Sequence, residues 1–360
     1  MGLGVTVKDV AKAAGVSVAS VSRALNGHKN MAEDTRARIL GVAAGMRYMP
    51  NDAARSLITR RTHTIGTILP DLHGEFFSEL IRGIDLAARA RGLHLLVSSS
   101  HGDADEAAAA LRSMQGRVDG LLIMSPHADA GLLHANLPDS LPAVLMNASG
   151  GQSRYPTLSI DNHGGALAMT RHLIACGHRR IAFIAGPAGN LDGDERLRGY
   201  HAGLAEAGLT HEAMVFAGEF TEESGHAAGH ELIRRTPRPD AVFAANDMMA
   251  IGCLFALRER NLVIPTDIAI AGFDDIPIAR YVTPPLTTVR VRIAELGRSA
   301  LTRLVAEMEA PGSSSESPQL LPCEIVVRTS CGQYFGPYNR SKSSNRFPIA
   351  APINMPGRET

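Results

Sequence analysis

The 360-residue sequence contains no tryptophan, few aromatic residues of any kind (4%) and only four cysteines. It has no apolar run of the roughly 18 residues that a membrane-spanning helix requires. The opening stretch MGLGVTVKDVA lacks the basic start and apolar core of a signal peptide, so we expect a cytoplasmic protein. No C-x-x-C pair is present, and the four thiols are predicted to be buried or inert, without a metal site.

The chain also lacks net charge, because 36 basic residues balance 36 acidic ones. The charges are unevenly distributed, with ten Lys or Arg against four Asp or Glu in residues 1–61 and 22 against 31 in residues 62–331. A small basic head followed by an acidic body favours an anionic partner for the head. The alternative is an ordinary solvated charged surface.

The head has the pattern of two short helices joined by a tight turn, in VKDVAKAAGVSVASVSRALNG (residues 7–27). Thr6, just before this stretch, is the predicted N-cap of the first helix, and Asp9 is its capping-box partner. Gly15 is the predicted helix stop, and Ser17 is the predicted N-cap of the second helix. A third helix, roughly residues 32–45, is expected to complete a small core with Ile39, Leu40 and Ala43. The pattern predicts a helix-turn-helix, although a purely structural three-helix subdomain is the alternative.

The outer side of the second helix carries residue types that read DNA. Val18 and Ala19 suit contact with a thymine methyl group, and Arg23 can bind O6 and N7 of guanine. Other polar side chains could hold phosphates, namely Thr6, Ser22, Asn26 and Thr35. These residues favour DNA binding over the structural alternative.

The stretch VTVKDVAKAAGVSVASVSRALNG resembles the DNA-binding head of the lactose-repressor (LacI) family, and the resemblance extends to about residue 331. In that family the pair at Val18 and Ala19 varies with operator sequence, and Val-Ala resembles the galactose-repressor (GalR) type. Ala32 stands where the family usually has Ser, which removes a helix cap worth about 1 kcal/mol. The head residues expected at DNA are Thr6, Val7, Ser17, Val18, Ala19, Ser22, Arg23, Asn26, Asn30 and Thr35.

Next comes a joint segment of helix formers, NDAARSLITRRTHT, which is too short to be a stable helix in isolation. The resemblance implies a hinge helix that forms only on DNA and pairs with that of a second subunit in the minor groove. Leu57, with Ala54 beside it, would then wedge into the central base step. A plain linker is the alternative.

From residue 65 onward, strand-like and helix-like stretches alternate in two successive sets, which predicts parallel sheets with helices on both faces. With the resemblance, the expected fold class is an all-α helix-turn-helix head and an α/β core of two periplasmic-binding-protein-like lobes. The expected domains are a head (1–49), a hinge (50–62), a first lobe (63–161 and 291–320), a second lobe (162–290 and 321–331) and a disordered tail (332–360).

Two lobes imply a cleft beyond the carboxyl ends of their strands, where polar residues suit a sugar and aromatic rings its apolar face. The resemblance places Arg196, Asn246, Asp274 and Phe220 at effector contacts. Further candidates, for which capping or packing is the alternative, are Phe76, Phe77, Ser125, Asn147 and Asp161. Asp247 is expected to cap the helix that follows it.

The sequence motifs of common enzyme active sites are incomplete or absent. His230-Glu231 lacks the second histidine of H-E-x-x-H because residue 234 is Arg, and neither a P-loop nor a G-x-S-x-G elbow is present. We therefore expect no enzyme and no cofactor.

The predicted function is a homodimeric repressor of carbohydrate-utilisation genes that binds a near-palindromic operator and is released by a small sugar. Two alternatives stay open. One is a regulator corepressed by a purine or a protein, and the other is a cytoplasmic sugar-binding module without DNA function.

Overall fold

The computed structural model describes residues 5–25, 31–49, 61–124, 135–138, 140–147, 155–310, 312 and 319–332. The chain divides into two compact units, Met1–His63 and Thr64–Thr360. Several predictions lie outside the described residues: Asn26, Asn30, Ala54, Leu57, Ser125, nearly all of the hinge and the tail beyond Gly332.

The described residues of the first unit form three helices, α1 (Val7–Ala14), α2 (Val18–Leu25) and α3 (Glu33–Gly45). The predicted capping box is confirmed: the Thr6 hydroxyl accepts from the Asp9 amide, and the Thr6 amide donates to the Asp9 carboxylate. Hydrogen bonds from Thr6 lower the pKa of Asp9. Gly15 ends α1 with φ of 67°, a conformation that glycine adopts without strain.

The core of this unit consists of small apolar residues, Val10, Ala11, Ala14, Val21, Ala24, Ile39 and Ala43. The prediction for Leu40 is wrong, since its side chain is 43% exposed. Ile39 and Ala43 lie four residues apart on the buried face of α3, and Leu40 is turned about 100° away from Ile39. At the start of α3, Ala32 provides no side-chain cap, as its missing hydroxyl predicts.

The second unit contains two six-stranded sheets, which define two lobes. The first sheet has the strand order β11-β5-β4-β3-β1-β2, and all its pairings are parallel. Its strands are β1 (Thr64–Leu69), β2 (His94–Ser99), β3 (Gly120–Met124), β4 (Ala143–Met146), β5 (Thr157–Ile160) and β11 (Gln319–Leu321). The helices described with this sheet are α4 (Glu75–Arg89), α5 (Ala104–Met114) and α10 (Ile293–Glu309).

The second sheet has the strand order β12-β10-β9-β8-β6-β7, with β12 antiparallel to β10 and the other pairings parallel. Its strands are β6 (Ile181–Ile184), β7 (Met214–Phe216), β8 (Ala241–Ala244), β9 (Ala269–Asp274), β10 (Thr287–Arg290) and β12 (Glu324–Val326). Its helices are α6 (Asn162–Ala175), α7 (Leu191–Glu206), α8 (Glu222–Ile233) and α9 (Asp247–Glu259). The central strands are buried throughout, as parallel strands covered on both faces should be.

Pairs of helices approach closely at glycines. A Cβ atom built on Gly83 of α4 would lie 2.2 Å from the carbonyl oxygen of Ala294 in α10. One on Gly199 of α7 would lie 2.4 Å from the carbonyl oxygen of His163 in α6. The glycines therefore let backbones touch where any side chain would separate them. Among the described helices, none combines the length and apolar character needed to cross a membrane.

Candidate DNA-reading face and effector cavity

On the head, α2 buries Val21 and Ala24 and leaves Val18, Ala19 and Arg23 exposed. Positions 18, 19 and 23 share the side of the helix opposite the buried pair because an α-helix repeats every 3.6 residues. The exposed side thus carries two apolar groups at its N-terminal turn and one guanidinium. This is the set that the sequence predicts for contact with base edges.

Thr6 and Ser17, two other residues predicted to contact DNA, already have hydrogen-bond partners within the head. The Thr6 hydroxyl donates to Asp9 over 2.7 Å, and the Ser17 hydroxyl accepts from the Ser20 amide over 3.1 Å at the start of α2. Val7 packs partly against the head core, while Ser22 and Thr35 are half-buried. Their phosphate contacts stay predictions.

In the second unit, a cavity of about 440 Å³ lies beyond the carboxyl ends of strands from both sheets. This volume is within the range of about 300–1,000 Å³ usual for small-molecule sites. Residues at the ends of β3 and β9, or following β1, β2, β6, β7 and β8, line it, so both lobes contribute walls. The lining includes Asp71, Phe76, Phe77, Met124, Asn190, Asp192, Arg196, Phe220, Asn246 and Asp274.

Arg196 of α7 is fixed in place by contacts on every side. Its Nε donates to Asn162 Oδ1 over 2.9 Å, and its Nη1 donates to the carbonyl oxygen of Ala245 over 2.6 Å. Its Nη2 lies 3.2 Å from Asp274 Oδ1. The guanidinium carbon lies 3.9 Å from the centre of the Phe273 ring, in a cation–π contact. The charge is therefore held rigidly at the floor of the cavity.

Asp274 ends β9 at the same floor and is 4% exposed. Burial raises its pKa to about 6, against the opposing effect of Arg196. Its Oδ1 atom pairs with the Arg196 guanidinium at 3.2 Å, and no donor is aligned with it for a regular hydrogen bond. This oxygen can therefore accept from a further donor, and a ligand hydroxyl could supply one.

Asp192 is a site residue that sequence reasoning missed. Its Oδ1 accepts from Asn162 Nδ2 over 2.7 Å and its Oδ2 accepts from Asn147 Nδ2 over 3.1 Å. Burial raises its pKa, while Arg196 lowers it. The available signal was its position four residues before Arg196 on one helix, since such residues share a face.

Asn147 and Asp161, both predicted as effector contacts, do not line the cavity. Asn147 is 3% exposed. Its Oδ1 accepts from the Ile160 amide and its Nδ2 donates to Asp192, so it helps to fix the position of that carboxylate. Asp161 accepts from the Gly164 amide and caps α6. For Asp161 the structure therefore matches the capping alternative.

Asn246 lines the cavity and also caps α9, because its Oδ1 accepts from the Met249 amide over 2.9 Å. Its Nδ2 donates to the carbonyl oxygen of Phe220 over 2.9 Å. The prediction that Asp247 is this cap is wrong. Asp247 lies one residue inside the helix, fully buried, and accepts from Thr288 Oγ1 over 2.6 Å. Burial, followed by the charge of Asp274, raises its pKa well above the usual value.

Three aromatic rings face the cavity: Phe76, Phe77 and Phe220. Phe76 and Phe77 form an edge-to-face pair with centroids 5.4 Å apart. Phe220 has φ of 61°, a conformation rare outside glycine, and Gly186 leaves room for its ring. Asp274 and His101, which also line the cavity, have φ of 110° and 48°. Strained backbone of this kind gathers at binding sites.

A helix-turn-helix unit with an exposed reading face, together with a two-lobed core that has a cavity lined by charged and aromatic residues, defines the class of ligand-responsive DNA-binding regulators. Family comparisons agree with this class. The model of bacterial regulatory proteins of the lacI family matches residues 6–51, and that of the periplasmic binding protein-like domain matches residues 170–331.

Curated relatives cover nearly the whole chain. It is 37% identical over 332 residues to the HTH-type transcriptional repressor PurR of Photorhabdus laumondii, covering 89% of this chain and 97% of that protein. It is 37% identical over 323 residues to the ribose operon repressor of Escherichia coli K12, covering 88% and 97%. A crystal structure of the lac repressor dimer bound to operator and the anti-inducer ONPF has a TM-score of 0.84 at 28% identity, covering 92% and 100%.

The chain belongs to the lacI family of bacterial transcriptional regulators. The predicted fold class, a helix-turn-helix head with a two-lobed α/β core, is confirmed. So is the prediction of a repressor rather than an enzyme, because the matching relatives are transcriptional repressors.

Proposed function

We propose that the protein represses carbohydrate-utilisation genes by binding a near-palindromic operator as a homodimer, and that a small sugar or sugar derivative in the cavity releases it. The observation that carries the choice of ligand is the buried pair of the Asp274 carboxylate and the fixed Arg196 guanidinium, in which Asp274 Oδ1 has no regular hydrogen bond. A sugar hydroxyl can donate to that oxygen, and neighbouring hydroxyls can accept from the guanidinium. Phenyl rings on the same cavity offer an apolar face to the ring carbons.

In this proposal one head binds one half-site, and two heads related by a two-fold axis bind two half-sites about one helical turn apart. Val18, Ala19 and Arg23 read bases, while the hydroxyls around α2 contact phosphates. Ala54 and Leu57 act in the minor groove from a hinge at residues 50–62. The protein works in the cytoplasm, on the nucleoid when bound to its operator.

The ligand acts through hydrogen bonds between the lobes. Asn147, at the end of β4 in the first lobe, donates to Asp192 on α7 in the second. Near the other rim, the Ile278 amide donates to Glu75 of α4 over 2.9 Å. A ligand that contacts Asp192 or the adjoining wall stabilises one arrangement of these hydrogen bonds relative to another. Ligand binding and operator binding are then coupled, so that each changes the affinity of the protein for the other.

The proposal is tested with the full-length protein. Duplexes are selected from a pool with a random palindromic core, and operator affinity is then measured by fluorescence anisotropy with added monosaccharides, disaccharides or purine bases. We expect one sugar class to weaken operator binding at least tenfold. Strengthening by a purine would favour the corepressed alternative, and sugar binding without duplex preference would favour the module without DNA function.

Arg23→Ala should weaken binding to the selected operator by about 1–3 kcal/mol, because the side chain is exposed on α2 and would donate to one guanine. Discrimination at that base pair should fall with it, which competition with single-substituted duplexes measures. Arg89→Ala is the matched control, since Arg89 is exposed on α4 in the other unit. Equal losses for both variants would exclude base reading by Arg23.

Effector affinity should fall as pH decreases through the pKa of Asp274, about 6. The ligand hydroxyl donates to the ionised carboxylate, and at pH 5 only about one tenth of a group with such a pKa is ionised. Affinity at pH 5 should therefore be about tenfold below that at pH 7.5 by calorimetry. Asp274→Asn should bind weakly with a flatter profile, whereas an unchanged profile would assign the titration to Asp192 or Asp247.

A further inference from the structure

Three potential metal ligands meet in the second lobe, apart from the cavity. His172 lies in the last turn of α6, Cys176 is the C-cap of that helix four residues later, and Cys331 ends the short 3-10 helix Thr329–Cys331. Their ligand atoms all lie within 4.8 Å of one another. The sequence alone predicted buried or inert thiols, and did not reveal that two of them lie beside a histidine.

The distances suit tetrahedral coordination. His172 Nε2 lies 3.3 Å from Cys331 Sγ and 3.6 Å from Cys176 Sγ. In a tetrahedral zinc site, with bonds of about 2.3 Å to sulfur and 2.0–2.1 Å to nitrogen, the edge from nitrogen to sulfur is about 3.6 Å. The three atoms are thus placed around a point that an ion could occupy with little rearrangement.

Hydrogen-bonding groups also meet at the cluster. The Thr287 hydroxyl donates to the Cys331 sulfur over 3.2 Å, and His172 Nε2 lies 3.3 Å from the same sulfur. The thiolate is the form of cysteine that binds metals, so both thiols would lose their protons on metal binding.

The backbone holds Cys331 in position. His178 Nε2 lies 3.0 Å from the Cys331 carbonyl oxygen, and the preceding Ser330 hydroxyl donates to the Ile270 carbonyl oxygen over 2.6 Å. Cys331 is fully buried, while His172 and Cys176 are half-buried, which leaves a route for an ion. The fold therefore preorganises all three ligands before any metal arrives.

The cluster lies far from the effector cavity. Asn162, which contacts Asp192 and Arg196 at the cavity wall, begins α6, and His172 follows ten residues later. At 1.5 Å per residue this is about 15 Å along the helix. None of the three ligands lines the cavity.

We propose that His172, Cys176 and Cys331 form a binding site for zinc(II), with water as the fourth ligand. The donor set of one imidazole and two thiolates is one that zinc accepts. A bound ion would tie α6 to the segment that follows β12, and so join the start of the second lobe to the last described residues of the chain. The site goes beyond repression and requires neither operator nor sugar.

The test uses the reduced full-length protein and cobalt(II) as a spectroscopic substitute for zinc(II). We expect one cobalt per chain, the charge-transfer absorption of a thiolate ligand, and displacement of both by zinc. Cys176→Ala and His172→Gln should each weaken binding at least tenfold. Cys253→Ala is the matched control, because Cys253 is buried in α9 outside the cluster and should leave the absorption unchanged.

A second cluster of possible metal ligands, which contains no cysteine, allows the outcomes of this test to be distinguished. His226 and His230 each lie 3.0 Å from the same oxygen of Glu259, and an ion bound there has no thiolate ligand. Metal binding without thiolate absorption would therefore assign the ion to that group and overturn the proposal. So would the absence of cobalt binding by the folded, reduced protein, or absorption that survives Cys176→Ala.

Discussion

Arg196→Met is expected to abolish the effector response and to lower the free energy of unfolding at pH 7.5 by about 3–5 kcal/mol, the usual cost of removing one partner from a buried ion pair. Arg196 is 4% exposed and lies 3.2 Å from Asp274. It also lowers the pKa of Asp192. Methionine fills similar space over the Phe273 ring but leaves both carboxylates without their counter-charge.

The destabilisation should depend on pH in one direction. A buried carboxylate whose pKa is raised in the folded state is unfavourable when ionised, and protonation removes that penalty. The pKa of Asp274 is about 6 with Arg196 present and should rise further without it. The penalty is therefore present above that pKa and diminishes as pH falls below it, so Arg196→Met should lose less stability at pH 5.5 than at pH 7.5.

Urea unfolding at both pH values measures this effect, with sugar titration of the operator complex as the functional readout. Arg198→Met is the matched control, because Arg198 lies on the same helix, is 66% exposed and pairs with Glu195. A surface pair of this kind contributes about 0–1 kcal/mol. If the two variants lose equal stability and both keep the effector response, Arg196 is not the central charge of the cavity.

The features that were predicted correctly from the sequence are those determined by residues close together in the chain. The capping box of Thr6 and Asp9 spans three residues, and its geometry follows from local backbone alone. The predicted N-cap of α9 was wrong by one position, because Asn and Asp are both favoured N-cap residues and Asn246 and Asp247 are adjacent. Which of the two caps the helix depends on where β8 ends. It also depends on the Thr288 hydroxyl, 41 residues away, which donates a hydrogen bond to the Asp247 carboxylate.

The cavity and the proposed metal site show the limit of such reasoning. Arg196 and Asp274 were accessible through the family resemblance. For Asp192 the sequence offered only its spacing from Arg196, and its place in the site also depends on the side-chain amides of Asn147 and Asn162 that the fold brings to it. The spacing of His172 and Cys176 is visible in the sequence, whereas Cys331 lies 159 residues beyond His172. Pairings across such distances follow from sheet order, which local pattern does not determine.

The second large effect is expected from one methyl group. Gly252→Ala should lower the free energy of unfolding of the core by about 3 kcal/mol, at the upper end of the usual cost of overpacking. A Cβ atom on Gly252 of α9 would lie 1.9 Å from the carbonyl oxygen of Glu222 in α8. From the opposite side, a Cβ on Gly225 would lie 2.1 Å from the Met249 carbonyl oxygen. Both obstructions are backbone atoms, so the helices must move apart.

That movement should reach the effector cavity, because both helices begin at its wall. Thr221 caps α8, Asn246 caps α9, and both line the cavity. The 2.9 Å hydrogen bond from Asn246 to the Phe220 carbonyl oxygen joins the two helix starts. Separation would lengthen this bond and displace the Phe220 ring, so effector affinity should fall at least tenfold in calorimetry.

Gly41→Ala provides the control for the substitution itself. Gly41 lies in α3 of the head with no atom within 4 Å of a built Cβ, so alanine there should be neutral or stabilising by about 0.5–1 kcal/mol. Thermal unfolding and effector titration of the two variants distinguish the effects. If Gly252→Ala behaves like Gly41→Ala in both measurements, then the contact between α8 and α9 is looser than 1.9 Å implies, and the cavity wall does not depend on it.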